Sequence, residues 1–394
     1  MPPAQTPDRE KPSVFEAKLR AARVALVTNF IDPQKAGSFE SLGEKLGDLT
    51  IFISTEREGH RIWAPATGRL KTVLQKTITI KSSWRHPMGF KDVNYLHFPV
   101  DTYSQLRRYR PDVVLSSQLG LRTVLACAFR ITHPRSRLIV WVQMTEHQQS
   151  GRRTVRTLVR KLIARCADAA VANGHSAKRY MVSLGFPPDG VSLALGSIDM
   201  QPYLGVPDKQ PSPHPRRFLY VGRLVEGKGL LPFLSRLSVF AGQNPGCRLV
   251  FEIVGYGPVE KEVLRAEHPS NLEVRCSGTA MSEALPRVYA SADVFVLPTL
   301  SDEWGMVVNE AMASGLPVLG SVYSQAVEEL VEDGVSGWTF APDRQNEVDT
   351  AIARAANASD SEILVMGRKA RLAVRRCEPE RWVESVLGSL GSVL

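Results

Sequence analysis

Short apolar runs rich in Val, Ile, Leu and Phe alternate with longer helical patterns from about residue 22 to the end of the chain. The first group lies at 23–28 (RVALVT), 49–54 (LTIFIS), 76–80, 112–116 (DVVLS), 138–142 (LIVWV) and 169–172. The second lies at 218–222 (FLYVG), 248–255 (RLVFEIVG), 272–277, 294–298 (VFVLP) and 317–320. Strands with little polar interruption, separated by helices, predict parallel sheets covered on both faces. Between the groups, residues 201–217 (QPYLGVPDKQPSPHPRR) hold five prolines in 17 positions. That density predicts an interdomain linker without helix or strand. At about 150 residues per domain, 394 residues accommodate two domains. The expected architecture is therefore α/β: two Rossmann-like domains, 1–200 and 218–376, facing a ligand-binding cleft, with a terminal helical segment over 377–394.

Composition closes off other classes. Hydrophobic residues make up 43% and charged residues 23%, ordinary globular values. No run reaches the roughly 18 apolar residues of a membrane-spanning helix. The opening MPPAQTPDREKPSVFEAKLR is polar and Pro-rich, which predicts no secretory leader. Five well-separated cysteines without a C-x-x-C pair predict neither zinc site nor disulfide, and a reducing cytoplasmic setting. Charge is uneven: residues 1–210 hold 31 Lys and Arg against 17 Asp and Glu, while 211–394 hold 18 against 23. A basic first half points to a polyanion there, nucleic acid or an anionic membrane surface.

The chemistry concentrates in the second half. In YVGRLVEGKGL (220–230) a strand ends at Gly222, Arg223 follows, and Lys228 stands before a helix with Pro232 in its first turn. Two cations at the mouth of a parallel sheet, beside a helix N-terminus, suit a diphosphate; two solvated surface cations are the alternative. The segment nearly spells a Walker A loop, but Gly229 stands where Ser or Thr would ligate magnesium. No D-x-D occurs in the chain. A second turn, VGYGPVEKE (254–262), opens like a dinucleotide fingerprint at Gly255 and Gly257, but Glu260 replaces the third glycine. In LPTLSDEWGMVVNEAMASGLPVLG (297–320) a helix is expected from Gly305 through Ser314, closed by Gly315 and Pro317. The amides of Gly305, Met306 and Val307 then point at an anion. Glu310 lies about 7–8 Å along that helix and Asp302 in the loop before it. The alternative makes Asp302 a helix cap and Glu310 a buried, paired acid.

These three segments, in this order and spacing, resemble the retaining family 4 glycosyltransferases (glycosyl transferases group 1) of the GT-B fold, closely over 217–345 and loosely over the first half, where 173–186 (NGHSAKRYMVSLGF) and 198–199 are similar to the family's passage toward its linker. The resemblance implies Arg223 and Lys228 on the donor diphosphate, Glu310 on the donor ribose, and the amides of Gly305–Val307 on phosphate. It implies a donor pocket completed by Gly222, Gly255, Tyr256, Glu303, Trp304, Met306 and Val307. It implies that Asp302 holds sugar hydroxyls, although the family pattern E-x₇-E begins with the longer Glu and neighbouring Glu303 is a second candidate. A change of reach of about an ångström can cost about 100-fold when it disturbs reacting geometry. The implied reaction is transfer of a hexose from a UDP- or GDP-sugar to a glycan or lipid-linked acceptor, as in cell-surface polysaccharide or glycolipid biosynthesis. It proceeds with same-face attack, the donor phosphate taking the acceptor proton, and without metal or resident cofactor. The terminal helix is expected to cross back to the first domain. A nucleotide-sugar epimerase of the same shape and a non-catalytic nucleotide-sugar sensor are the rivals.

In the first half, residues 151–166 (GRRTVRTLVRKLIARC) place Val155, Leu158, Val159, Leu162 and Ile163 at helical spacing among six cations. A core-facing stripe is expected, with a basic face near anionic lipid as the alternative. Nucleic acid is not expected, because no basic motif is interleaved with aromatics. His147, in MTEHQQ, stands where relatives place a histidine facing the sugar, and Thr28–Asp32 is expected to be an acceptor-side loop.

Overall fold

The computed structural model describes residues 13–56, 68–151, 154–206 and 215–394. Strand β1 (Arg23–Thr28) buries every residue but its first, as a central strand covered on both faces must. It pairs in parallel with β2 (Asp48–Ile53), which pairs with β3 (Thr72–Leu74). On its other side run β6 (Val113–Ser117), β7 (Arg137–Val142), β8 (Ala169–Ala172) and β9 (Val191–Leu193), giving the order β3-β2-β1-β6-β7-β8-β9. The order therefore reverses between β1 and β6.

The second sheet follows the same plan. Its strands are β10 (Arg216–Val221), β11 (Leu249–Val254), β12 (Leu272–Cys276), β13 (Val294–Leu297), β14 (Val318–Ser321) and β15 (Gly337–Phe340), ordered β12-β11-β10-β13-β14-β15. Its order reverses between β10 and β13, whose carboxyl ends carry the Arg223–Lys228 and Asp302 segments. The last helix, Pro379–Gly391, crosses back to the first sheet: Trp382 lies 5.6 Å from the Phe39 ring and 5.5 Å from that of Trp141. Two parallel-sheet domains with a returning terminal helix make the GT-B architecture.

Three expectations need correction. The 76–80 run belongs to neither parallel sheet. It starts β4 (Thr77–Arg85), which pairs antiparallel with β5 (Lys91–Pro99) as a separate two-stranded ribbon. No helix separates the two strands, so no parallel crossover can form, and the turn at 86–90 closes the hairpin. The 201–217 run is not free of regular structure at its ends: Gln201–Leu204 forms one helical turn with Pro202 in its tolerated first positions. Arg216 and Arg217 already pair with Leu249 and Val250. Residues 207–214 lie outside the described residues.

The helix Thr154–Cys166 is the third correction, since it does not turn its apolar stripe to the core. Val155, Leu158, Val159 and Leu162 are 74%, 58%, 37% and 54% exposed, and only Ile163 of the stripe is buried. Arg160 points inward instead. It donates to Gln149 Oε1 at 2.7 Å and to the Tyr180 hydroxyl, so the buried guanidinium is held by polar partners that an apolar side chain could not satisfy.

Candidate functional site

Two loops meet at the reversal of the second sheet. The one leaving β10 carries Gly222, Arg223 and Lys228; the one leaving β13 carries Asp302 and leads to the helix Met306–Ala313. They are knitted together by the Gly227 carbonyl, which accepts from the Leu300 amide at 2.9 Å and the Thr299 hydroxyl at 3.1 Å. Gly229 sits in the left-handed region at φ +67°, and a Cβ there would lie 2.1 Å from the Pro298 carbonyl oxygen. Close backbone approach, not only the missing hydroxyl, thus excludes a P-loop serine at this position.

Lys228 pairs with Asp302, both side chains being mostly buried. Asp302 is therefore not the helix cap. That position belongs to Gly305, in the left-handed region at φ +101°, and it makes no side-chain cap. Among the described residues no hydrogen bond satisfies the amides of Gly305, Met306 and Val307, which leaves the positive helix end open beside the ion pair. Arg223 is exposed at the loop mouth, and its carbonyl accepts from the buried Tyr220 hydroxyl at 2.8 Å. Tyr256 lies exposed after β11, with Gly255 before it.

Glu310 is 1% exposed. Its carboxylate accepts from the Tyr289 hydroxyl at 2.7 Å and, across the domain boundary, from Gln34 Nε2 at 2.5 Å. Burial pushes its pKa up, opposed by hydrogen bonds from Tyr289, Tyr203 and Gln34. Trp304 is buried and donates to Asn309 Oδ1 at 2.9 Å, and Asn309 Nδ2 donates to the Gly196 carbonyl at 2.9 Å. Trp304 is thus buried against Gly196 of the first domain, where a Cβ would meet its ring at 2.6 Å. The partly buried Glu303 accepts at its carbonyl from Gln325 Nε2 at 2.8 Å.

The first domain reaches this site at several points. His147 stacks on Tyr323 at 4.2 Å, and its carbonyl pairs with His86 Nε2 at 3.0 Å. Tyr323 in turn offers its carbonyl to the Asp302 amide at 3.0 Å, which ties His147 to the Asp302 loop. The tip of the β4–β5 hairpin crosses to the Lys228 loop: the Lys91 amide donates to Glu226 Oε2 at 2.9 Å, and Phe90 abuts Gly227.

Sequence reading missed Gln34 and Lys35. Both stand in the first turn of the helix Pro33–Lys45, which Asp32 caps by accepting from the Gln34 amide at 3.0 Å. Burial pulls the Lys35 pKa down, with Asp32 and Glu303 pulling it back up, and its ammonium lies 4.9 Å from the Trp141 ring centre. Asp32-Pro33 is a helix-start signal just past β1, and it would have placed both side chains at the cleft.

Comparison with known proteins gives a family match and the same fold. Residues 215–358 match the family described as glycosyl transferases group 1. The sulfoquinovosyl transferase SQD2 of Arabidopsis thaliana is 25% identical over 260 residues, which are 61% of this chain and 48% of that protein. The alpha-D-kanosaminyltransferase of Streptomyces kanamyceticus is 28% identical over 138 residues, 34% of this chain and 35% of the relative. The chain thus spans under half the length of these curated relatives. Among solved structures, the lipopolysaccharide outer core galactosyltransferase WaaB aligns with TM-score 0.69 and 13% identity over 94% of this chain and all of that one. Anabaena HepE in complex with UDP and glucose aligns with TM-score 0.67 and 14% identity, also over 94% of this chain and all of that one. The 215–358 segment belongs to the group 1 glycosyl transferases, and it is carried in a chain of GT-B fold.

Proposed function

We propose that this protein is a glycosyltransferase that moves a hexose from a UDP- or GDP-sugar to a glycan or lipid-linked acceptor, with retention at the anomeric carbon. One observation carries the reading. Lys228, the open amides of Gly305–Val307 and the mouth of the Arg223 loop converge at the strand-order reversal of the second sheet. In the proposed reaction the bond between the anomeric carbon and the diphosphate oxygen breaks, and the electron pair leaves with the nucleoside diphosphate. The acceptor hydroxyl oxygen bonds to the same face, and its proton passes to the departing phosphate. Negative charge grows on the diphosphate as the bond breaks, so the two cations and the helix end stabilise the transition state more than the ground state. They supply the positive charge for which other sites recruit a divalent ion, and turnover should persist in EDTA. Asp302, released from Lys228 when the diphosphate arrives, is positioned for sugar hydroxyls; Glu310 is the proposed ribose acid. That HepE was solved with UDP and glucose supports a nucleotide-sugar donor.

The acceptor side is the basic first half. The exposed apolar stripe of the Thr154–Cys166 helix, on a segment without a single acid, supports peripheral binding to an anionic bilayer. No described helix is long and apolar enough to cross a membrane. Incubation with radiolabelled UDP- and GDP-sugars tests the reading. Transfer, or slow donor hydrolysis without acceptor, is expected. Isomerised donor would make the protein an epimerase, and saturable binding without turnover would make it a sensor.

A further inference from the structure

Arg122 is 5% exposed, and among the described residues its guanidinium has no acidic partner. Nη2 donates to the neutral Asn29 Oδ1, and Nη1 is buried without any hydrogen bond. Burial alone lowers its pKa to about 10, which leaves it cationic near neutrality. A buried charge held by one neutral amide is costly, and structures keep such groups where an opposite charge arrives later.

Its position says where that charge binds. Arg122 lies in the first turn of the helix Leu121–Thr132, which follows β6, and Asn29 lies on the loop leaving β1. These are the two strands between which the first sheet reverses its order. The helix N-cap is Gly120, which makes no side-chain cap; a Cβ there would meet no atom within 4 Å. The approach is held in place by Gln118 at φ +67°, whose carbonyl accepts from the Thr123 hydroxyl at 2.5 Å and whose amide donates to the Trp141 carbonyl at 2.7 Å. An open, uncapped helix end and an unpaired guanidinium thus share the carboxyl edge of the acceptor-side sheet.

We propose that Arg122 and the N-terminus of the Leu121–Thr132 helix form a second anion site, separate from the donor diphosphate, that holds a phosphate group of the acceptor. This deepens the reading of the first domain as the acceptor side and rests on it. The phosphate belongs either to a soluble phosphorylated acceptor or to a lipid headgroup.

The test is calorimetric titration of the whole protein with inorganic phosphate while UDP or GDP, whichever binds, saturates the donor site. Wild type is expected to bind phosphate, and Arg122→Met and Arg122→Lys to bind it at least about tenfold more weakly, the loss of a charge-assisted, forked contact. Nucleoside diphosphate affinity should stay within about twofold in both variants; its absence in wild type would refute the donor reading, whereas unchanged phosphate affinity in Arg122→Met refutes this one. Arg122→Met should also melt no lower than wild type, because it removes an unpaired buried charge. A clear fall in Tm would make Arg122 a structural residue and overturn the proposal. Vesicles with 30% phosphatidylglycerol identify the source. Inhibition of vesicle binding by phosphate, lost in Arg122→Met, assigns the site to a headgroup; phosphate binding without any effect on vesicles assigns it to a soluble acceptor.

Discussion

Gln34 Nε2 donates to Glu310 Oε1 at 2.5 Å although the two residues stand 276 positions apart and in different domains. The amide occupies one oxygen of the carboxylate proposed for the donor ribose. If a ribose hydroxyl takes the same oxygen, Gln34 competes with it for Glu310, and donor binding displaces the amide. Gln34→Ala should bind nucleoside diphosphate as tightly as wild type or up to about a hundredfold more tightly, since a hydrogen bond to a charged group contributes about 1.5–3 kcal/mol. Calorimetry on the two proteins decides. A tenfold loss of affinity would show that Gln34 helps to build the ribose site.

Glu310 also predicts a pH effect on stability. Burial raises its pKa above 4.5 in the folded protein, so the native state keeps a proton that the unfolded chain releases. Its contribution is greatest below 4.5 and is lost as pH rises through the folded value, after which it is level. Glu310→Gln cannot titrate. Urea denaturation should therefore find the gap between wild type and Glu310→Gln moving in favour of the variant as pH rises from 4.5, by at most about 1.4 kcal/mol per pH unit. A gap independent of pH would mean that Glu310 is an ordinary carboxylate in the fold. Nucleoside diphosphate affinity should fall in the variant at every pH.

The architecture was legible because periodicity records burial: β1 and β7 are apolar with little interruption only because helices cover both faces of the sheet. The Lys228 loop and the Met306–Ala313 helix were legible for a local reason, since a strand end, a glycine and a helix start lie within one short segment. The Thr154–Cys166 helix shows where this logic stops. A helical stripe reveals that a helix has two faces, and not which of them packs inward. That was settled by Gln149 and Tyr180, which give Arg160 partners that no periodicity encodes. Gln34, Tyr203 and Tyr289 escaped for a similar reason. They meet Glu310 only through long-range packing; neither tyrosine stands in a motif of its own, and Gln34 has only the Asp32-Pro33 helix start beside it.

Lys228 and Asp302 form a mostly buried pair that the donor diphosphate must open. Removing one partner strands the other, so each single alanine variant should lose about 1–3 kcal/mol of stability, and the double variant less than the sum. Denaturant melts of the four proteins measure this coupling directly. Binding separates the roles: Lys228→Ala should lose at least about tenfold in nucleoside diphosphate affinity, while Asp302→Asn frees the ammonium and should match or exceed wild type. Turnover should fall in both. If Asp302→Asn bound the diphosphate as poorly as Lys228→Ala, the pair would be a structural clamp and no donor contact.

The inverted Thr154–Cys166 helix separates surface function from stability within one element. Leu158 and Leu162 are exposed, so Leu158→Ser with Leu162→Ser should change folding stability by no more than about 0.5 kcal/mol. If this face enters an anionic bilayer, the same pair contributes about 3 kcal/mol to insertion, and partition onto phosphatidylglycerol vesicles should drop about a hundredfold. Arg160 predicts the opposite pattern. It is buried on Gln149 and Tyr180, so Arg160→Ala should cost about 2–3 kcal/mol of stability and leave vesicle binding of the folded protein unchanged. Vesicle sedimentation and denaturant melts on the same three proteins check both halves. Equal sedimentation of wild type and the double serine variant would remove this helix from the membrane contact and leave its exposed stripe for a protein partner.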